Sequence, residues 1–246
     1  VRGVRRRGMT VEGLRNFVLS QGPSRNVINL EWNLIWAFNK KVIDPVAPRH
    51  TAVVKPVKLH LEGDDVPQNP KIEMKLKHKK NPDVGEKKVI YYKDVLIDQE
   101  DADVVSEGEE LTLMDWGNVI ITKKNSDGSL VGKLHLEGDF KKTKLKLTWL
   151  ADTEDKVDVD LVDFDHLISK DKLEEGDSFE DFLTPETEFH TPAIADLNVK
   201  DMKVGDIIQF ERKGYYRLDS LAKDGKPYVF FTIPDGKAVN KYGAKK

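Results

Sequence analysis

The side chains best equipped for chemistry in this sequence are guanidinium and carboxamide donors. Arg5-Arg6-Arg7 is a triple basic run beside a helix start and suits neutralisation of phosphates. Arg49 stands directly before a strand, stiffened by Pro48. Gln209 and Arg212 lie in Gln209-Phe210-Glu211-Arg212, where strand alternation puts Gln209 and Glu211 on one face. Phe210 and Arg212 then share the other, unless a bend intervenes. Arg and Gln can each make paired hydrogen bonds to a base edge, and unpaired bases expose those edges.

Catalytic motifs are missing. The chain has no cysteine, which excludes disulfides, thiolate zinc sites and a cysteine nucleophile. Gly8-Met9-Thr10-Val11-Glu12-Gly13-Leu14 has the glycine spacing of a phosphate loop, but Leu14 stands where a lysine must reach the phosphates. The six histidines are scattered and form no metal-ligand spacing. No Gly-x-Ser-x-Gly elbow occurs. Asp158 and Asp160 share a strand face as a conceivable carboxylate pair, yet in so acidic a block they read as a solvated face. The expectation is no catalytic residue and no metal site.

Over 246 residues, 34% of them charged, the net charge is only −3, which as a bulk value argues against nucleic acid. The charge is segregated, however. Residues 1–49 carry +6, 50–92 +3, 93–118 −8, 119–149 +4, 150–206 −13 and 207–246 +5. Basic blocks at both ends and in the middle can converge on one face. No run approaches the ~18 apolar residues of a membrane span, and Val1–Arg5 lacks a signal-peptide apolar region, so no membrane association is expected.

These residues need elements to hold them. Thr10 can cap a helix carrying Val11, Leu14, Phe17 and Val18, ended by Gly22-Pro23. A second helix is predicted over 29–44, capped by Asn29 and stopped by Pro45 and Pro48, with Trp32 and Trp36 packed one turn apart. Strands follow: Ala52–Leu61, Lys88–Asp98, Glu110–Lys124, Ser129–Glu137 and Thr143–Leu150, then Val157–Phe164, Asp206–Arg212, Tyr215–Asp219 and Tyr228–Ile233. Residues 62–87 and 170–203 read as irregular loops. The fold class is therefore mainly β: a short helical segment, then two antiparallel β-barrels.

Several ordered motifs carry a family resemblance. Arg5-Arg6-Arg7-Gly8-Met9-Thr10, Glu31-Trp32, the run from Asn39 to Arg49, Asp115-Trp116-Gly117-Asn118 and Gly205 to Arg212 closely resemble the glutamyl/glutaminyl-tRNA synthetase family of class I, on its eukaryotic and archaeal glutamyl branch. The resemblance spans residues 1 to about 236. It implies a ligase that attaches glutamate to tRNA(Glu) in the cytoplasm with ATP and magnesium, whose catalytic domain, with its ATP signatures, lies upstream. The start at Val1 without methionine fits a C-terminal part of that ligase, inactive alone and needing no cofactor itself.

The resemblance further implies a division into a helical connector at 1–49, a proximal anticodon-binding barrel at 50–150, a distal one at 151–235 and a tail at 236–246, with a strand exchanged between the barrels. It assigns the middle anticodon base, a uridine, to Arg49, Gln209 and Arg212. Where the glutaminyl relative places two arginines for the first base, this chain has Thr112 and Met114, leaving Trp116 and Asn118 as neighbouring candidates. Arg5, Arg6 and Arg7 would meet the tRNA backbone, and partner proteins would bind through an N-terminal region. Two other classes remain open on the residues. One is a ribosomal-RNA scaffold with a similar barrel. The other is a protein-interaction module using Trp32, Trp36 and the acidic 150–206 block.

Overall fold

The computed structural model describes residues 2–237; the expected tail over 236–246 lies, from 238 on, outside the described residues. Helices come first: α1 (Arg2–Arg6), α2 (Val11–Ser20) and α3 (Trp32–Ile43). The Thr10 hydroxyl caps α2 by accepting from the Gly13 N–H. The predicted Asn29 cap is not made. Helix α3 starts after Glu31, which forms no side-chain cap bond. A cap contributes only about 1 kcal/mol, and the position of α3 is decided by its contact with α2. There the buried Asn39 accepts from the Thr10 N–H and hydroxyl and donates to the Gly8 carbonyl. The Trp pair also divides. Trp36 is buried among Met9, Ile43, Ala47, Tyr215 and Ile233, whereas Trp32 is half exposed in the first turn.

From Pro48 the chain is β. β1 (Arg49–His50) and β2 (Ala52–Val54) are pieces of one extended segment. β3 (Pro56–Glu62), β4 (Lys71–Leu76), β5 (Glu86–Tyr91) and β6 (Asp94–Asp98) precede helix α4 (Gln99–Val104). β7 (Glu110–Leu113), β8 (Gly117–Lys124), β9 (Leu130–His135), β10 (Lys146–Leu147) and β11 (Leu150–Ala151) follow. The last group is β12 (Val157–Phe164), β13 (Glu188–Ala195), β14 (Ile207–Phe210), β15 (Gly214–Ser220) and β16 (Tyr228–Ile233).

The strands make two seven-stranded sheets, ordered β10-β7-β8-β9-β3-β6-β11 and β1-β14-β15-β16-β12-β13-β2, plus the small β4-β5 ribbon. Each large sheet has both edges in one continuous segment: 146–151 in the first and 49–54 in the second. That arrangement curls each sheet toward closure and keeps its edge strands short. The second closing segment precedes the whole first sheet in sequence, so a strand is indeed exchanged. Alternation sets the interiors. In β3, Val57, Leu59 and Leu61 are buried while Pro56, Lys58 and Glu62 are exposed. Leu59, Ile97, Leu111, Ile121 and Leu130 fill the first interior; Ile208, Phe210, Leu218 and Phe230 fill the second. Val53, Leu96 and Leu150 pack between them.

Five local expectations are corrected. Residues 62–87 hold β4 and the start of β5, because their prolines flank the strand and do not interrupt it. Residues 170–203 contain all of β13, which Pro192 disguised. The Lys88–Asp98 run is two strands, and Glu110–Lys124 is a hairpin that turns at Asp115 with φ 64. Thr143–Leu150 shrinks to the two short edge pieces.

Candidate nucleic-acid interface

Arg49 opens the closing segment of the second sheet, and β1 pairs in parallel with β14 so that Arg49 stands opposite Gln209. About 160 residues of sequence separate them. The Gln209 N–H donates to the Pro48 carbonyl and the Glu211 N–H to that of His50, which fixes this register. Across the next hairpin Gln209 faces Tyr215. The Arg49 guanidinium is held from behind: Nη1 donates to the Asp44 and Ala47 carbonyls at 2.9 and 2.7 Å, and Nη2 to Asp44 Oδ1 at 2.7 Å.

Asp44 also accepts from the Tyr215 hydroxyl. That bond, opposed by burial and reinforced by Arg49, holds the Asp44 carboxyl below the usual carboxylate range. Burial and then the bond to Asp44 push the Tyr215 hydroxyl up to about 12, with Arg49 and Gln209 opposing the rise. His78, at the end of the β4-β5 ribbon, accepts at Nδ1 from the Lys80 N–H, so Nε2 carries the proton and donates to the Asp44 carbonyl. Asp44, Tyr215 and His78 escaped the sequence reading. Counting across the hairpin from Gln209 could have found Tyr215, but no sequence signal marked His78.

Arg212 is placed differently. Strand β14 stops at Phe210 and a turn over 211–213 follows, with Arg212 at φ 67, so the strict alternation does not reach it. Its Nη1 and Nη2 donate to Asp101 of α4 at 2.6 and 2.7 Å, and Lys213 reaches Asp98 at 2.6 Å. The Asp101 bond outweighs burial and raises the Arg212 pKa. Asp101 takes two of the five guanidinium donors, and three remain for another acceptor. The structure thus brings Arg49 and Gln209 together, and sets Arg212 just beyond them, anchored on the first barrel.

The remaining candidates are differently engaged. Trp116 stacks edge-on against Tyr91, with ring centroids 5.0 Å apart, and lies 4.7 Å from Trp149. Asn118 is buried, accepting from the Thr112 hydroxyl and donating to Glu110. In the basic run, Arg5 is exposed, while Arg6 makes two 2.7 Å bonds to Asp219. Arg7 is turned inward over Phe164 and Trp36, where burial lowers its pKa. Asp160 of the carboxylate pair is bound by His190.

ATP and magnesium do not suit these residues. The Gly8 and Gly13 N–H groups are spent on Arg5 and Thr10, and among the described residues no acidic or histidine cluster could seat a metal ion. Among the described residues no helix is long and apolar enough to cross a membrane.

Two curled β-sheets, the second completed by a segment that precedes the first, bring an arginine and a glutamine together at 49–54, a donor pair of the kind that RNA-recognition domains present to unpaired bases. The family described as "tRNA synthetases class I (E and Q), anti-codon binding domain" matches residues 47–139, and a second part under the same description matches 146–219. The chain belongs to this family. It is 85% identical over 246 residues to a cytoplasmic glutamate–tRNA ligase of Saccharomyces cerevisiae. It is 56% identical over 250 residues to a probable cytoplasmic glutamate–tRNA ligase of Schizosaccharomyces pombe. Both comparisons use the whole of this chain and 35% of the relative, so the chain spans about a third of their length. A bifunctional glutamate/proline–tRNA ligase of Cricetulus griseus is 45% identical, over all of this chain and 17% of its own.

Proposed function

We propose that this chain recognises the anticodon of tRNA(Glu) as part of a cytoplasmic glutamate–tRNA ligase. The observation that carries the reading is the register of Arg49 opposite Gln209, which joins two distant donors at the barrel exchange. In this reading 1–49 is the connector, 50–150 the proximal barrel and 151–235 the distal one, with 50–54 lent to the distal sheet. Arg49, Gln209 and Arg212 bind the middle uridine, whose carbonyl edges match N–H donors. The carboxylates behind both arginines fix their planes in advance, so little order is lost on binding. Trp116 and Asn118 support the neighbouring anticodon positions from the first barrel. Arg5 and Arg6, with Arg7 behind them, follow the backbone. Attachment of glutamate, with its ATP and magnesium, belongs to the part of the ligase outside this chain. Partner proteins would bind to a region N-terminal to it.

The test compares a tRNA(Glu) anticodon stem-loop with the same RNA carrying cytidine at the middle position. Arg212→Ala is expected to erase roughly 1–3 kcal/mol of that preference, about five- to 150-fold in affinity. An equal loss on both RNAs would make Arg212 a phosphate contact and overturn its role as a base reader.

A further inference from the structure

Beside the Arg49/Gln209 corner lies an open groove of about 440 Å³ between the helical segment and the second barrel. Arg2, Arg5, Arg6 and Arg217 line it, with Gly8 and Gly205 among the other walls. Among the described residues no acidic or aromatic side chain and no Asn or Gln is part of the lining. Asp219 is taken by Arg6 at 2.7 Å and approached by Arg217 at 3.8 Å, and Glu188 acts on Arg6 from further off. Arg217 also donates to the Arg6 carbonyl, so these two form a fixed wall. Arg2 and Arg5 make no ion pair among the described residues. Arg6 and Arg217 share Asp219, while Arg2 and Arg5 are left without an ion pair, so the groove keeps a positive excess.

The groove lies close to the proposed base reader along one strand pair. Its Ile207/Arg217 rung is two residues along the same strand pair from the Gln209/Tyr215 rung, roughly 7 Å away. Residues two apart on a strand share a face, so both rungs face the same side.

We propose that this groove is a phosphodiester site that takes the RNA backbone flanking the recognised base, with Arg2 and Arg5 as mobile contacts and Arg6 and Arg217 as fixed ones. Guanidinium forks match phosphate oxygens, whereas a lining without aromatic platforms or carboxamides gives a base nothing to stack on or pair with. The site therefore adds affinity without sequence preference. The proposal rests on the anticodon-binding reading, and its test separates the two.

Arg2→Gln/Arg5→Gln changes only exposed side chains. Binding of the chain is measured against a tRNA(Glu) transcript and its middle-cytidine variant across a salt series. Both affinities should fall by the same factor, severalfold or more, with the salt slope reduced by about 1 per arginine removed. The preference for uridine should stay intact, and Arg2→Lys/Arg5→Lys should restore most of the affinity. Unchanged affinity and slope on both RNAs, or a loss confined to the uridine RNA, would overturn the groove. Loss of preference in Arg212→Ala beside an unaffected double variant would sink the groove alone. No uridine preference in the unmodified chain would sink the anticodon reading, and the salt slope would still decide the groove.

Discussion

At the scale of single residues, candidate RNA-binding cations are held by the protein's own carboxylates: Arg49 by Asp44, Arg212 by Asp101 and Arg6 by Asp219. Such a pair fixes a long side chain while leaving part of its donor fork free. Arg212 shows the requirement most clearly, because a non-glycine residue at φ 67 costs about 1–2 kcal/mol unless something holds it. Asp101 supplies that hold from a largely buried position. Asp101→Asn keeps the shape but weakens the charged pair, so the guanidinium should lose its fixed plane. The expected result is a severalfold smaller preference for the middle uridine with little change in salt slope. An unchanged preference would show that Arg212 needs no such positioning.

At the scale of elements, the connector depends on one close approach. A Cβ on Gly13 would lie 2.8 Å from both the Cα and the Oδ1 of Asn39. Replacing glycine by alanine inside a helix normally stabilises by about 1 kcal/mol. Here the backbone of α3 stands in the way, and moving it disturbs the Thr10–Asn39–Gly8 bonds that join the helices. Gly13→Ala is therefore expected to destabilise by roughly 1–3 kcal/mol in urea unfolding. A stabilised variant would mean that the helices can part freely. Helices, barrel strands and hairpin turns were largely legible in the sequence, because alternation and Gly/Asp turns follow from local geometry. β4 and β13 were not. β4 is mostly exposed, bracketed by prolines and, among the described residues, paired only with β5, while β13 carries Pro192 inside it. In both, the pairing partner, which composition cannot show, makes the strand.

At the scale of the whole molecule, the two barrels are tied where 49–54 crosses from one to the other. Asp196 is the knot. It accepts from the Thr51 and Asn198 N–H groups and faces the buried His50 imidazole at 3.2 Å. Asn198 in turn exchanges two 2.9 Å bonds with the Lys88 backbone of β5. Burial pushes the Asp196 carboxyl up, but His50, Lys87 and the Thr51 N–H together hold it well below its usual range. A depressed carboxylate stabilises fully above its unfolded pKa of about 4, and that contribution fades as pH falls further toward the folded value. Acid unfolding should thus steepen below pH ~4. Asp196→Asn should cost on the order of 3 kcal/mol at neutral pH and flatten this limb. Thermal melts from pH 2 to 7 would measure both, and an unaltered acid limb would assign it elsewhere.

The sequence by itself determined the classes of element, the lack of cysteine and metal-ligand chemistry, the segregated charge and the donor residues, since each is carried by residue type and near-neighbour spacing. Only the tertiary structure decided which donors meet. Arg49 lies opposite Gln209 because 49–54 closes the second sheet after the chain has left to build the first. Arg212 leaves its strand face because a left-handed turn redirects it to Asp101. Arg7 leaves the basic run to lie over Phe164 and Trp36. Closure of a sheet and capture of an ion pair depend on partners distant in sequence, and local pattern carries no record of them.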